Sequence, residues 1–447
     1  MHRLLLAPLG ALLLLSCGEP EPEPLPPAAS PRAAAATWMK ASAIPLTTVE
    51  AGHGFSDLAP LVPVLAQARV VGLGESTHGT REFFQLKHRM FEFLVSELGF
   101  TVFVLEANFT ESAAVDHYVL TGEGDPARLL AGLLLWPWNT EEVLALIQWM
   151  RAYNADPAHP RKLRFYGMDA TLSVGPARAM LDYLAQVDPA YRAEAEPWLT
   201  RLLSTSELNG GDAEAARLRA SQHVEPVRQL RARLAEQREA YVRASSQEAH
   251  FWAARHAHIL EQAVLQSSLA GDERLHRRDE YMAENARWIL EHEGPEAKMA
   301  VWAHDLHLMG VSNFPLPLGA HLRRLYGDAF YMFRLSFHQG EFRSRLYPLG
   351  GPIGDLQTHR IGPAPRESLD ASLARTGLPL FALDLRSAPT DGPVATYLET
   401  PVGMREIGAA YTPGHDYLYQ LSPRAAFDGV LFVETTTASR PNPPLTP

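Results

Sequence analysis

The chain has 447 residues, of which 46% are hydrophobic and 20% charged, a balance typical of a folded globular protein. Its formal net charge of −11 provides no basic surface of the kind that binds nucleic acid. Gly72 and Gly74 match part of the dinucleotide-binding motif, but the third glycine is missing and Glu75 would face the pyrophosphate. We therefore expect neither nucleic acid nor a dinucleotide as the ligand.

The first residues have the layout of a cleaved export signal. Arg3 precedes an apolar run over residues 4–15, which is too short to cross a bilayer as a helix. The run ends in Leu-Leu-Ser-Cys at Cys17, which resembles the lipobox of bacterial lipoproteins, whose cysteine is acylated. Since Cys17 is the only cysteine of the sequence, we expect a lipid anchor on a membrane of the bacterial cell envelope rather than a disulfide. The alternative is an ordinary signal peptide with a cysteine nearby.

Composition divides the rest of the chain into a tether, a body and a tail. Residues 17–37 are rich in Pro, Glu and Ala, which favours an extended, solvated tether after a signal peptide over residues 1–16. Residues 38–437 are apolar enough to fold, and the Pro-rich residues 438–447 are expected to be disordered. Within the body, residues 174–292 show amphipathic patterns with few strand-like runs, and this predicts a large helical insertion.

The body also contains several short apolar runs that predict buried strands. Residues 70–73 and 101–105 enclose a stretch with helical periodicity that stops at Gly99. A strand–helix–strand unit normally places its two strands parallel. Further runs at residues 163–168 and 298–303, and others after residue 329, extend this pattern. The sequence therefore predicts an α/β fold with a mostly parallel central sheet flanked by helices.

Polar side chains follow each of the four principal predicted strands. In open parallel sheets, ligands bind beyond the carboxyl ends of the strands, which meet at one edge. Any one of these residues could be a helix N-cap or a structural histidine, but the joint pattern favours a catalytic site near the helical insertion. The residues concerned are Glu75 and His78, Glu106, Asp169, and His304 with Asp305 and His307.

Two tryptophans precede the helix predicted to begin at Glu141. Trp136 and Trp138 flank Pro137 after an apolar run. They are either core aromatics or the apolar wall of a substrate site, because ligand sites are mostly apolar with a few polar groups. With Asp169, they are our candidates for substrate-binding residues.

Five motifs together resemble the erythromycin esterase family. They occur in that family's order and cover about residues 57–337. They are GLGESTHGTREFFQLKHR from Gly72, the strand that ends in Leu105-Glu106, FYGMD at 165–169, RDEYMAEN at 278–285 and VWAHDLH at 301–307. The resemblance implies an α/β hydrolase that cleaves a carboxylic ester or lactone, in the founding members that of a macrolide antibiotic, which would make residues 38–437 a catalytic domain.

The resemblance also implies roles for individual residues. His78 matches the histidine proposed to activate water, and Glu75 the acid beside it. Glu106 matches the second essential acid, and His304 and His307 match the later histidines. Lys87 stands where the macrolide esterases carry arginine, and His-Asp-Leu-His replaces the usual His-Asn-Gly-His. Lysine lacks the planar fork that grips a carboxylate, Asp305 adds negative charge next to His304, and Leu306 replaces a flexible glycine. Both departures bear on the identity of the substrate and on the details of catalysis.

The same residue types support this chemistry on general grounds. Histidine is a suitable base for water near neutral pH, and a carboxylate can fix its tautomer. Protonated His304 or Lys87 would suit an oxyanion. The sequence contains no Gly-x-Ser-x-Gly elbow, which favours direct attack by water without a required cofactor.

Two alternatives use the same side chains. Glu75, His78, Glu106 and His304 could hold a divalent metal ion that activates water. A non-enzymatic metal- or haem-binding lipoprotein is the other alternative, with His78 or His304 as the iron ligand.

Overall fold

The computed structural model describes residues 30–311, 316–348 and 351–443. The predicted signal peptide and Cys17 lie outside the described residues. Across the described ranges, no helix is both long and apolar enough to cross a membrane.

Twelve strands occur in the described residues, and ten of them form one sheet. Their bounds are β1 Ile44–Pro45, β2 Val70–Leu73, β3 Val102–Asn108, β4 Arg164–Asp169, β5 Met299–Trp302, β6 Phe330–Leu346, β7 Leu356–Ile361, β8 Leu380–Asp384, β9 Val402–Arg405, β10 Ala410–Tyr411, β11 Leu418–Leu421 and β12 Gly429–Thr436.

Eighteen helices surround the sheet in the same described ranges. They are α1 Pro31–Ser42, α2 Leu61–Leu65, α3 Arg81–Leu98, α4 Phe109–Thr121, α5 Pro126–Ala131, α6 Glu141–Ala155, α7 Val174–Val187, α8 Pro189–Arg201, α9 Thr205–Asn209, α10 Ala213–Glu236, α11 Arg238–Ala244, α12 Gln247–Ser267, α13 Gly271–His292, α14 Asp305–Leu308, α15 Leu318–Tyr326, α16 Leu369–Ala374, α17 Gly392–Glu399 and α18 Pro423–Ala426. Short 3₁₀ turns occupy Trp136–Trp138 and Gly327–Ala329.

The main sheet has the strand order β1-β8-β12-β6-β2-β5-β3-β4, with β7 and β10 paired to the long strand β6. The six strands from β12 to β4 run parallel to their neighbours, whereas β8, β1 and β7 are antiparallel. The predicted α/β fold with a mostly parallel central sheet is confirmed, and the sheet is mixed at its β1–β8 edge and along β6.

The central strands are buried on both faces, as their continuous apolar runs require. Alternate side chains enter two cores: Val71 and Phe103 belong to one, and Val70 and Val102 to the other. Helix α3 ends at Gly99, whose φ of +72° terminates the helix in the left-handed region. The chain therefore returns directly into β3.

The helices expected between residues 174 and 292 are present as α7 to α13. Side chains of α7, α8, α10, α11 and α12 form a third apolar core that is separate from the two cores of the sheet. Helix α13 instead packs on β4 and α15, so the insertion is attached to the sheet beside the last parallel strand.

The predicted ends of the tether and of the tail are wrong in part. Helix α1 begins at Pro31, with Ser30 as its N-cap, and it buries Ala35 and Met39. A tether that extends to residue 37 would treat these alanines as part of the Pro-rich segment, whereas alanine is the best helix former and extends α1 here. In the tail, Ala438 and Pro441 form bridges to other segments, and Ser439 is buried.

Candidate active site

Four neighbouring strands carry the predicted site residues to one edge of the sheet. In sheet order these strands are β2, β5, β3 and β4. Glu75 and His78 follow β2, His304 follows β5, Glu106 lies in β3, and Asp169 ends β4. The carboxyl ends of parallel strands thus bring together residues that are distant in the sequence.

The loop after β2 holds a hydrogen-bonded histidine–carboxylate pair. Glu75 Oε1 lies 2.8 Å from His78 Nδ1, and Glu75 Oε2 accepts hydrogen bonds from Lys87 Nζ at 2.5 Å and from Trp302 Nε1 at 2.8 Å. Burial alone would raise the pKa of Glu75, but the charges of Lys87 and His78 outweigh burial and lower it. A carboxylate at Nδ1 makes that nitrogen the donor, which leaves Nε2 of a neutral His78 with the free lone pair.

The backbone around this loop is packed too closely for side chains. A Cβ on Gly74 would lie 1.8 Å from Asp305 Oδ1 and 2.9 Å from Phe333 O. The Gly74 N–H donates to Phe333 O, and the Asp305 N–H donates to Glu75 O. Gly74 therefore permits the loop after β2 to lie against the loop after β5.

Lys87 is buried against the Glu75 carboxylate and is not accessible to a substrate. Its side chain is fully buried, with Nζ 4.2 Å from the centre of the Trp302 ring. Burial lowers the pKa of Lys87 to about 8 even though Glu75 opposes this. The expectation that Lys87 could stabilise an oxyanion is wrong for this arrangement, because Glu75 and Trp302 occupy its ammonium group. Its position supports Glu75 instead.

Glu106 lies at the centre of a second charged group. Its Oε2 accepts a hydrogen bond from the His304 N–H at 2.9 Å, and its Oε1 accepts one from Arg278 Nη2 at 2.7 Å. Arg278 also donates to Asp169 Oδ2 through Nη2 at 2.7 Å. Burial would raise the pKa of Glu106, but His307 and Arg278 outweigh burial and hold the pKa well below its ordinary value. Both Glu106 and Asp169 are thus tied to α13.

His304 contacts the pair through its ring but is not a cation. The ring centres of His78 and His304 are 4.9 Å apart. His304 Nδ1 accepts from the Leu306 N–H at 3.1 Å, and Nε2 lies 3.2 Å from Ile407 O, to which it donates. Burial, assisted by His78, lowers the pKa of His304 to about 3. The expectation of a protonated His304 is wrong, because both ring nitrogens are committed to the backbone in the neutral form.

Helix α13 supplies Arg278 and Asp279, two residues that the sequence did not identify as functional. His307 Nδ1 donates to Asp279 Oδ1 at 2.6 Å, and His307 Nε2 lies 2.9 Å from Arg278 Nη1 and 3.4 Å from Glu106 Oε1. Burial disfavours the charged His307, yet Asp279 and Glu106 outweigh burial and raise its pKa. The RDEYMAEN motif contained both α13 residues, but the sequence could not show that they reach the strand ends.

Arg334 forms a buried ionic cluster with Asp305, Asp370 and Glu406, and Asp305 directly follows His304. Arg334 Nη1 donates to Asp370 Oδ1 at 2.8 Å, and its Nε donates to Glu406 Oε1 at 3.0 Å. Asp305 Oδ2 lies 3.7 Å from Arg334 Nε. Burial raises the pKa of Glu406 to about 8, and burial together with Glu406 raises that of Asp305. Burial therefore favours the protonated form of both acids.

The two candidate tryptophans have different environments. Trp138 is buried, its Nε1 donates to Glu106 O at 2.9 Å, and its ring centre lies 6.0 Å from that of His78 in an edge-on arrangement. Trp136 is half-buried in the same 3₁₀ turn. Trp138 is thus both a core aromatic and a neighbour of the candidate base, whereas contact of Trp136 with a substrate stays a prediction.

Three of the four alternative metal ligands, Glu75, Glu106 and His304, have donor atoms that protein groups already occupy, whereas His78 keeps Nε2 free. Both oxygens of Glu75 and of Glu106, and both ring nitrogens of His304, have partners within the chain. Within the described ranges, no group of three or more His, Cys, Asp or Glu residues is arranged to hold a metal ion. His304 is therefore not free to ligate a metal ion or haem iron, whereas His78 has Nε2 available.

A known protein family matches most of the chain. The erythromycin esterase family model matches residues 95–436, which is most of the chain. The chain belongs to the erythromycin esterase family.

Individual members and structures agree with this assignment. Erythromycin esterase type II of Escherichia coli is 23% identical over 440 residues, which are 90% of this chain and 98% of that protein. A crystal structure of a Bacillus cereus protein has a TM-score of 0.79 at 28% identity and covers 92% of this chain and 99% of its own. An erythromycin esterase mutant in its open conformation has a TM-score of 0.62 at 17% identity, covering 86% and 94% respectively. The chain is thus a hydrolase of this family, with the family's α/β fold.

Proposed function

We propose that this esterase-family protein hydrolyses a carboxylic ester or lactone by direct attack of a water molecule that His78 activates. The observation that carries the proposal is the bond of His78 Nδ1 to the buried Glu75 carboxylate at 2.8 Å. The His78 side chain is 12% exposed while that of Glu75 is fully buried, so the imidazole is the member of the pair that can meet a substrate.

In the proposed reaction, His78 Nε2 takes a proton from water as the water oxygen forms a bond to the carbonyl carbon. Glu75 stabilises the imidazolium that forms and fixes the ring. The tetrahedral intermediate then collapses, the bond to the alcohol oxygen breaks, and His78 returns the proton to that oxygen. The products are a carboxylic acid and an alcohol, and one water molecule is consumed.

The oxyanion requires a donor that a substrate can approach. Arg278 and His307 are partly exposed, at 21% and 17% of their side chains, in contrast to Lys87 and His304. Arg278 Nη1 carries two hydrogens, of which one is directed to His307, so a second remains for a ligand. We assign oxyanion stabilisation to Arg278, and the positioning of Arg278 to His307, Glu106 and Asp169.

We further propose that hydrolysis needs no bound metal, because the oxygens of Glu75 and Glu106 and the ring nitrogens of His304 are committed to other partners and only His78 Nε2 of the candidate set is free. The test is hydrolysis of a panel of macrolides and simple esters by the purified chain, with and without a chelator. We expect at least one ester to be cleaved at the same rate in both conditions. Loss of activity with chelator and its return with a divalent ion would contradict the metal-free mechanism. A Soret band in inactive protein would favour the haem-binding alternative.

For localisation, we propose that Cys17 is lipidated and holds the protein on a cell-envelope membrane. The support is the Leu-Leu-Ser-Cys sequence after the apolar run, together with the absence of any other cysteine from the sequence.

Cys17→Ser should move the protein from the membrane fraction to the soluble fraction or prevent its processing. The measurement is an immunoblot of fractionated cells, with Ser16→Ala as a control that retains the cysteine. A Cys17→Ser protein that stays membrane-bound and is processed normally would show that the anchor lies elsewhere.

A further inference from the structure

A cavity lies in the helical insertion, away from the strand ends. It has a volume of about 550 Å³ and is formed by side chains of α10, α11, α12 and α13. This volume lies within the range of small-molecule sites, roughly 300–1,000 Å³. Trp288, in its lining, is ten residues after Arg278 on α13, which corresponds to a rise of about 15 Å along the helix. We call it the insertion cavity.

One wall of the insertion cavity is aromatic. The rings of Phe251 and Trp288 are stacked with centres 5.8 Å apart, and Trp288 also stacks on His292 at 5.0 Å. Phe251 is 42% exposed, so its ring is accessible to a ligand. This wall offers a flat apolar surface to a ligand.

The polar part of the lining is cationic. It contains Arg231, Arg238 and Arg255 and no carboxylate. Arg231 is paired with Glu261, which neutralises its charge. Arg238 is exposed at the edge of the cavity. Its charge and that of Arg255 remain available to a ligand.

Arg255 is the buried cation of the insertion cavity. Its guanidinium lies 4.2 Å from the centre of the Trp288 ring, and its Nη2 donates to Asn285 Oδ1 at 2.5 Å. Its Nε is buried without a hydrogen-bond partner. The nearby Glu284 carboxylate acts on the charge of Arg255 but hydrogen-bonds to His258, and within the described residues no carboxylate forms a direct ion pair with Arg255. A buried arginine stacked on tryptophan, with no carboxylate in direct contact, is suited to an anion.

We propose that the insertion cavity binds an organic anion that has an aromatic or long aliphatic body. The body would lie on Phe251 and Trp288, and the anionic group would approach Arg238 and Arg255. This site is separate from the proposed hydrolytic site and would hold a ligand other than the ester being cleaved.

The test compares two probes that share one ring system. Binding of 1-anilinonaphthalene-8-sulfonate, an anion, and N-phenyl-1-naphthylamine, its neutral counterpart, is followed by fluorescence on the purified full-length chain. We expect saturable binding of the sulfonate at one site per chain, tighter than that of the amine and weakened by salt. Absence of saturable binding, or equal affinity for both probes, would overturn the proposal.

Variants locate the site. Phe251→Ala should raise the Kd of the sulfonate about two- to tenfold, as expected for loss of an aromatic contact. Arg238→Ala should raise it about two- to fivefold and leave the Kd of the neutral amine unchanged. Leu218→Ala and Arg243→Ala, at exposed positions on α10 and α11 outside the lining, serve as matched controls and should change neither Kd.

His78→Gln separates the two sites. It should abolish hydrolysis without changing the Kd of the sulfonate. A sulfonate Kd that responds to His78→Gln but not to Phe251→Ala would assign the probe to the hydrolytic site and overturn the proposal.

Discussion

His78→Ala is expected to reduce kcat/KM for the ester substrate by a factor of about 10²–10⁴, the range found when a positioned general base is removed. The reason is that the Glu75 carboxylate holds this imidazole by its Nδ1, which leaves Nε2 as the base. His78→Gln keeps most of the side-chain volume beside Trp138 and should be equally inactive. The measurement is steady-state hydrolysis of the best ester of the panel.

His117→Ala is the matched control for this prediction. His117 also pairs with a glutamate, at 3.1 Å from Nε2 to Glu123 Oε2, but on the exposed surface of α4. Its removal should leave both activity and folding unchanged. Full activity of a folded His78→Gln protein would show that another group activates the water.

Arg334→Met is expected to have the largest effect on stability, a loss of about 3–5 kcal/mol in the free energy of unfolding. Arg334 is fully buried and contacts Asp370, Glu406 and the Arg405 carbonyl oxygen. Its removal leaves the Asp370 carboxylate buried without its cation, although Ser336 and the Arg405 N–H still donate to it. The measurement is equilibrium unfolding by urea at pH 8.

The loss in the free energy of unfolding caused by Arg334→Met should be smaller at pH 5 than at pH 8. In the unaltered protein burial would raise the pKa of Asp370, but Arg334 outweighs burial and lowers it, so Asp370 contributes stability above its unfolded pKa and loses it as the pH falls. Without Arg334, burial should raise that pKa above the unfolded value. The contribution of Asp370 would then be present below the unfolded pKa and be lost as the pH rises, which makes the variant relatively more stable in acid.

Arg243→Met provides the comparison on the surface. Arg243 and Glu239 are both mostly exposed and 3.9 Å apart, so this pair should contribute about 0–1 kcal/mol at most. If Arg334→Met unfolds at the same urea concentration as the unaltered protein at pH 8, the buried cluster does not depend on Arg334.

The sequence by itself determined the elements with strong local patterns and the edge at which the site lies. The apolar run at Val70–Leu73, the helix that stops at Gly99 and the acid or histidine after each parallel strand depend on local periodicity and on chain direction. These signals were sufficient to bring Glu75, His78, Glu106 and His304 together. The order of the strands and the start of α1 were not predicted, because both depend on which segments pack on each other.

Only the tertiary structure decided the charge state and the role of each group. The sequence presents Lys87 and His304 as two candidate cations of equal value. Lys87 is buried against Trp302, and His304 is hydrogen-bonded to the backbone of Leu306 and Ile407. Neither side chain is therefore free to stabilise an oxyanion. Arg278 reaches Glu106 from a helix 172 positions away in the sequence, and no local pattern reports such a contact. The physical reason is that pKa and accessibility depend on desolvation and on partners brought close by the fold, neither of which follows from spacing along the chain.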